Sequence, residues 1–107
     1  MTINELAKKI NGELLAIPDP EAEVKGGYCG DLLSNVMAKA EPGQVWITVI
    51  THAAILGVAV ISKISGILIV EHSEIDSEVI RKAQENGVNI IRTSLSAYEV
   101  ANIIGEF

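Results

Sequence analysis

The chain is poor in cysteine and in aromatic residues. Its single cysteine, Cys29, cannot close an internal disulfide, so a disulfide-stapled secreted scaffold is excluded and a reducing, cytoplasmic setting is favoured. Aromatic residues make up 4% of the chain although hydrophobic residues make up 49%, so the core must be built from aliphatic side chains. Such a core is typical of a sheet that helices cover on both faces.

Positive charge is also scarce. Eight Lys and Arg residues stand against 14 Asp and Glu residues, and the formal net charge is -6. A nucleic-acid partner is therefore not expected, because binding the phosphate backbone requires a basic face. No block of like charges forms an acidic tail. The segment 1–9 is charged and short of apolar residues, which argues against a signal peptide.

One uncharged stretch has the length of a membrane span. Residues 44–62 include no Asp, Glu, Lys or Arg over 19 positions, and a spanning helix needs about 20 mostly apolar residues. Thr48, Thr51 and His52 interrupt the middle of this stretch. The pattern instead predicts a buried strand followed by a buried helix, with no membrane partner.

Capping and turn residues divide the chain into helices and strands. Thr2 and Glu5 have the spacing of a capping box, and Asn11-Gly12 ends the first predicted helix. Short strands are predicted at 13–17 and 24–28. From Val45 onward, strands at 45–50, 66–70 and 88–92 alternate with helices that begin near His52, at Asp76 or Ser77, and at Ser94 or Ser96. This order predicts a single domain, residues 1–107, with a three-layer α/β/α sandwich around a mainly parallel sheet.

Polar groups follow two of the predicted strands. One joint is the glycine bend 26–31, and the other is the polar corner 48–52. Ligands of α/β sheets collect beyond the carboxyl ends of the strands, so the two joints predict a binding surface. The candidate ligand-binding residues are Gly26, Gly27, Tyr28, Cys29, Asp31, Thr48, Thr51 and His52.

Each of these features also has a purely structural interpretation. The glycine bend would either cradle an anion or form a tight turn with positive φ, with Asp31 capping the next helix. It matches neither a P-loop nor a dinucleotide fingerprint, and no cofactor is expected. Cys29 would be either a reactive thiol or, more commonly, a buried inert one. Trp46 is expected in the core or at a subunit contact.

The two histidines suggest chemistry without specifying it. His52 is predicted at a helix start, where the helix dipole disfavours its protonated form, and it would bind a ligand or a partner or serve a structural role. His72 lies beside Glu71 and Glu74, but its distance from His52 in sequence gives no metal-ligand spacing, so no metal site is predicted. No pattern of catalytic residues is evident.

The segments 26–37 and 45–52 together resemble the small stand-alone members of the DRTGG-domain family, and the resemblance extends over nearly the whole chain. It implies a fold similar to the N-terminal domain of HPr kinase/phosphorylase. Relatives of the domain occur inside larger proteins, including phosphotransacetylases and CBS-containing pyrophosphatases, where the domain is regarded as regulatory or oligomerising. Where many relatives carry Asp-Arg, this chain has Thr51-His52. A titratable ring thus replaces a permanent anion donor.

The expected function is a non-enzymatic regulatory module that binds a small anionic ligand, a nucleotide or a partner protein. The resemblance also implies a homodimer, with residues 53–61 and the C-terminal helix as candidate contact faces. Small relatives are encoded near iron-hydrogenase-like and anti-sigma-factor-like proteins, which implies a redox or signalling context. Two alternatives stay open: a small enzyme that uses His52 with Asp31 or Cys29, and a scaffold in which the polar joints only cap helices.

Overall fold

Helices and strands alternate along the chain in the computed structural model, which describes residues 1–106. The five helices of this part of the chain are α1 (Ile3–Lys9), α2 (Leu33–Lys39), α3 (Ala54–Ser62), α4 (Ser77–Glu85) and α5 (Ala97–Gly105). The five strands are β1 (Glu13–Ala16), β2 (Gly27–Cys29), β3 (Val45–Thr48), β4 (Gly66–Ile69) and β5 (Ile90–Arg92).

The strands form one sheet in the order β1-β5-β4-β3-β2. Neighbouring strands from β2 to β5 run parallel, and β1 joins β5 in the antiparallel sense. The mainly parallel sheet predicted from the alternating pattern is therefore confirmed. Because the chain crosses from β2 to β5 one strand at a time, β2 and β1 are left as the two edge strands.

Two hydrophobic clusters lie on opposite faces of this sheet. The first contains Trp46, Ile67 and Ile69 from the strands, packed against α2, α3 and α4. The second contains Ile47 and Leu68, packed against α1 and α5. Successive strand residues alternate between the two clusters, as the pleat of a strand requires. The predicted three-layer α/β/α sandwich is confirmed.

Side-chain caps define the helix starts of α1 and α5. Thr2 and Glu5 form the predicted capping box, and Ser96 forms a second one with Glu99. Ser96, and not Ser94, is therefore the start of the last helix. Asp76 precedes α4 but makes no side-chain cap bond. The sequence located these helices because their capping residues are local signals.

Several predicted boundaries were wrong. The strand expected at 24–28 is β2, Gly27–Cys29, so Gly26 and Gly27 lie at the amino end of this strand and not beyond its carboxyl end as predicted. The helix expected directly after Asp31 begins at Leu33, and the helix expected from His52 begins at Ala54. The strand expected at 45–50 ends at Thr48, because the Thr48 hydroxyl accepts a bond from the Ile50 N–H and turns the chain. Among the helices of residues 1–106, none has the length and apolar character needed to cross a membrane.

Candidate functional site at the open edge of the sheet

The ends of β2 and β3 are tied together by Asp31. Its carboxylate accepts bonds from the Thr48 hydroxyl, at 2.7 Å, and from the Val49 N–H, at 3.0 Å. The predicted capping role of Asp31 was wrong, because the N-cap of α2 is Leu32 and no side chain caps this helix. Thr48 is 1% exposed, so its hydroxyl needs a partner within the protein. Asp31 thus joins the two predicted joints instead of starting a helix.

Trp46 anchors the glycine bend from beneath. Its ring is fully buried in the first cluster, as expected, and its indole N–H donates to the Gly30 carbonyl at 2.8 Å. This bond satisfies the one polar atom of a buried indole. The bend is consequently held in place by the hydrogen bonds of Trp46 and Asp31.

Only Gly26 in the bend has the left-handed backbone that glycine favours, with φ 116°. The Val45 N–H donates to the Gly26 carbonyl, and the Gly30 N–H donates to the Ile47 carbonyl. In a parallel ladder this register turns the N–H groups of Gly27 and Cys29 away from β3. They point to the open edge of the sheet, because β2 is an edge strand.

A cavity of about 570 Å³ lies beside this open edge, between β2 and α5. We call it the edge cavity. It contains three of the predicted ligand-binding residues, Gly26, Gly27 and Cys29. Its other lining residues are Met1, Val24, Lys25, Ile47, Ala101, Ile104 and Gly105.

The charge of the edge cavity is opposite to that of the chain. None of its described lining side chains carries a carboxylate, although the chain has a net charge of -6. Lys25 contributes an exposed ammonium group that makes no ion pair within residues 1–106. The ammonium group of Met1 is paired with Glu23 at 3.3 Å. Lys25 is therefore the unpaired cationic residue on the described lining of the edge cavity.

Cys29 is exposed, which corrects the expectation of a buried thiol. Partial burial raises the pKa of the Cys29 thiol, and the nearby Asp31 carboxylate raises it further. The thiolate is the reactive form, so a raised pKa lowers the nucleophilicity of this cysteine at neutral pH. Cys29 suits a contact residue better than a nucleophile.

A second cavity, of about 350 Å³, continues along the carboxyl ends of the strands. We call it the rim cavity. It shares Cys29 and Ile47 with the edge cavity and adds Asp31 and Thr48 to its lining. The structure therefore brings five of the eight predicted residues, Gly26, Gly27, Cys29, Asp31 and Thr48, to two adjoining cavities. Tyr28 points to the opposite face, where it packs against the first cluster.

Thr51 and His52 lie elsewhere. They line a third cavity, of about 610 Å³, which we call the helix cavity because α4 residues complete it. His52 shares this cavity with Val79 of the first cluster, whereas Cys29 lies beside Ile104 of the second. His52 and Cys29 thus occupy opposite faces of the sheet, so the His52–Cys29 pairing of the enzyme alternative is absent.

The second histidine has a local partner. His72 Nδ1 lies 3.5 Å from a carboxylate oxygen of Glu13, which also binds Arg92. Hydrogen bonding to Arg92 lowers the pKa of Glu13. Within residues 1–106, no group of three or more His, Cys, Asp or Glu side chains is placed to hold a metal ion.

Sequence reasoning missed the residues that complete the edge cavity. Lys25 directly precedes the glycine bend, and a basic residue beside paired glycines was a readable signal for anion binding. Ala101 and Ile104 reach the cavity from α5, more than 70 residues later in the chain. No local pattern indicates that α5 returns to β2, because this contact depends on the tertiary fold.

Comparisons with known proteins agree with this architecture. A crystal structure of the CBS and DRTGG domains of the regulatory region of Clostridium perfringens pyrophosphatase, complexed with its activator diadenosine tetraphosphate, superposes with a TM-score of 0.76 at 15% identity. The match covers 96% of this chain and 45% of that one, so the chain spans less than half of the pyrophosphatase region. Curated protein sequences give no match. The DRTGG domain matches residues 5–107, and the chain accordingly belongs to the DRTGG-domain family.

Proposed function

We propose that this chain, residues 1–107, is a single non-enzymatic regulatory module that binds a small anionic ligand in the edge cavity. The observation that carries the proposal is a cavity of ligand size whose described lining bears an unpaired ammonium group, Lys25, and no carboxylate. Binding pockets for small molecules usually measure about 300–1,000 Å³. In a chain with a net charge of -6, such a lining favours an anion at this place.

The backbone supports the same ligand class. The N–H groups of Gly27 and Cys29 point to the open edge, where a phosphate or carboxylate oxygen can accept their bonds. Glycine at two successive positions lets a ligand approach the backbone closely. Ile47, Ala101 and Ile104 offer apolar contacts beside these donors, which suits the base of a nucleotide.

Two observations favour binding over catalysis in the edge cavity. Cys29 has a raised pKa, and His52 lies on the other face of the sheet. An anion held by Lys25 and backbone donors would change the position of α5 relative to β2, since both elements line the cavity. Ligand binding would thereby move a surface helix. We expect a regulatory module to signal its ligand-bound state through such a movement.

The proposal also includes the cellular location and the oligomeric state of the module. We place it in the cytoplasm, in a redox or signalling context, and expect it to act as a homodimer. Of the two helices named from the sequence as contact faces, α5 exposes Glu99, and Glu106, which directly follows this helix, is also exposed. The helix α3 contains no charged residue.

A thermal-shift screen with inorganic phosphate, mononucleotides, dinucleoside polyphosphates and acyl phosphates tests the ligand. An anion present at 100 times its dissociation constant stabilises the native state by about 2.7 kcal/mol. Lys25→Gln should abolish the shift, whereas Lys39→Gln, which removes an equal charge on α2, should leave it intact. An undiminished shift in Lys25→Gln would place the ligand elsewhere.

Two further measurements locate the ligand. Alkylation of Cys29, followed by mass spectrometry, should slow in the presence of the ligand, because the thiol lines the edge cavity. His52→Ala should keep the full thermal shift, because His52 lines the helix cavity. Loss of the shift in His52→Ala, with alkylation of Cys29 unprotected, would move the site to the other face of the sheet.

A further inference from the structure

The outer face of α3 is apolar, although it faces solvent. The residues of this helix that point away from the sheet are Ala54, Gly57, Val60 and Ile61. Val60 is 52% exposed and Ile61 is 66% exposed. A helix that is apolar on all sides is ordinarily buried on all sides. The sheet buries only the inner side of α3, so the apolar outer side of this helix is left in contact with solvent.

We propose that this outer face of α3 is the twofold interface of a homodimer, in which α3 packs antiparallel against α3 of a second copy. The inference rests on the proposed homodimer and assigns its surface. A second copy suits the face because α3 carries no charged residue, so two such faces meet without like-charge repulsion. On the rest of the surface, the net charge of -6 on each copy opposes self-association.

The charges at the two ends of α3 select the antiparallel arrangement. At its N-terminal end, the helix cavity is lined by Glu74, Asp76 and Glu78 against one Lys82, so it is net acidic. At its C-terminal end, the cavity between α3 and the residues after α4 is lined by Lys63 as its one charged side chain.

A twofold axis that crosses α3 at a right angle reverses the helix direction and keeps α4 on the same side. The Lys63 end of each copy then faces the acidic helix cavity of the other copy. A parallel arrangement would instead place acidic end against acidic end. Charge complementarity therefore favours the antiparallel pair.

The size and shape of the surface are consistent with this interface. A stable interface buries about 800 Å² per partner, which is roughly one seventh of the 5474 Å² surface of the described chain. The face of a nine-residue helix is smaller than this area, so the flanks on α2 and α4 must contribute, including the exposed Met37 of α2. Gly57 lies at the middle of α3, and a Cβ there would meet no atom of the same chain, so the two helices can approach closely at this point.

Sedimentation equilibrium of the unmodified chain and of two matched variants tests the interface. The unmodified chain should show twice its 11.4 kDa mass at high concentration. Ile61→Asp should weaken the dimer by roughly a hundredfold, because each interface then buries two unpaired carboxylates. Leu14→Asp makes the same change at a 47% exposed residue on the edge strand β1 and should leave the dimer unchanged.

A charge exchange tests the orientation. Lys63→Glu should weaken the dimer, and the double variant Lys63→Glu/Glu74→Lys should restore it, since both signs at the contact are then reversed. Thermal melting at a concentration where the chain is monomeric checks that each variant folds. Lys63 has a left-handed backbone with φ 55°, and glutamate carries the same Cβ as lysine, so this exchange adds no backbone strain.

The outcomes separate the proposals. A monomer at the highest concentration would overturn both the homodimer and this interface, while the thermal-shift result on the edge cavity would stand. A dimer that survives Ile61→Asp would overturn the α3 interface alone. A dimer that tolerates Lys63→Glu, or that the double variant fails to restore, would overturn the antiparallel arrangement.

Discussion

The helices α3 and α4 are nine residues long, cover the same face of the sheet and connect successive strands, yet their outer faces differ completely. In α4, Arg81 binds both Glu78 and Glu85 on the solvent side, while Val79 and Ala83 face the core. In α3, apolar residues occupy both sides. The inner faces follow from one requirement, which is to cover the sheet. The outer faces differ because the outer face of α4 meets water, with only its flank near the proposed interface, whereas we infer that the outer face of α3 meets a second copy.

The largest effect that this comparison predicts lies on the inner face of α3. Ile55→Ala removes a fully buried side chain and should lower the free energy of unfolding by about 2–5 kcal/mol. Ile61→Ala, on the outer face, should change the unfolding of the monomer by less than about 0.5 kcal/mol. Urea denaturation at a concentration below dimer formation measures both values. Equal losses in the two variants would show that the outer face is packed within the monomer.

A smaller effect is expected at the middle of the outer face. Gly57→Ala should raise the free energy of unfolding of the monomer by about 0.5–1 kcal/mol, because alanine restricts the unfolded chain and its Cβ meets open space. The same change should weaken the dimer if the two helices cross closely at this glycine. Urea denaturation of the dilute protein and sedimentation of the concentrated protein separate the two effects. A destabilised monomer would contradict the open surroundings of Gly57.

The smallest effect is expected on the outer face of α4. Hydrogen bonding to Arg81 lowers the pKa of Glu78 below its ordinary value of 4.5. The stabilisation from this pair is therefore present above pH 4.5 and is lost as the pH falls through the lower, folded-state pKa.

Arg81→Ala should accordingly melt slightly below the unmodified chain at neutral pH and low salt, and the two should converge in acid or at high salt. Differential scanning calorimetry across this pH range is the measurement. A difference that persists in acid would assign the effect of Arg81 to the packing of its side-chain stem rather than to its charge.

Much of the fold was readable from local patterns. The capping box at Thr2 and the alternation of strands and helices after Val45 were sufficient for the mainly parallel sheet and the three-layer sandwich. The errors fall where a distant group decides a local structure. Asp31 has the sequence context of a helix cap, but the hydroxyl of Thr48 and the N–H of Val49 compete successfully for its carboxylate.

The candidate site was predictable in part. Of the glycine bend, only Gly30 and Asp31 lie at the carboxyl end of β2, where Asp31 meets Thr48 at the end of the adjacent parallel strand, while Gly26 and Gly27 lie at the amino end of β2. The sequence did not reveal that the chain turns after Thr48 and carries His52 to the opposite face. It also did not reveal α5 as the second wall of the edge cavity, because the residues around Ala101 do not indicate which strand this helix covers.

The sequence by itself determined the class of structure, because hydrophobic periodicity and capping residues act over a few positions and specify each element where it stands. Only the tertiary structure decided which polar residues share a cavity and which apolar face stays open. Those properties depend on the side of the sheet that each crossover takes and on the free edge left at β2. Both arise from contacts between residues far apart in the chain, and no short-range sequence pattern specifies such contacts.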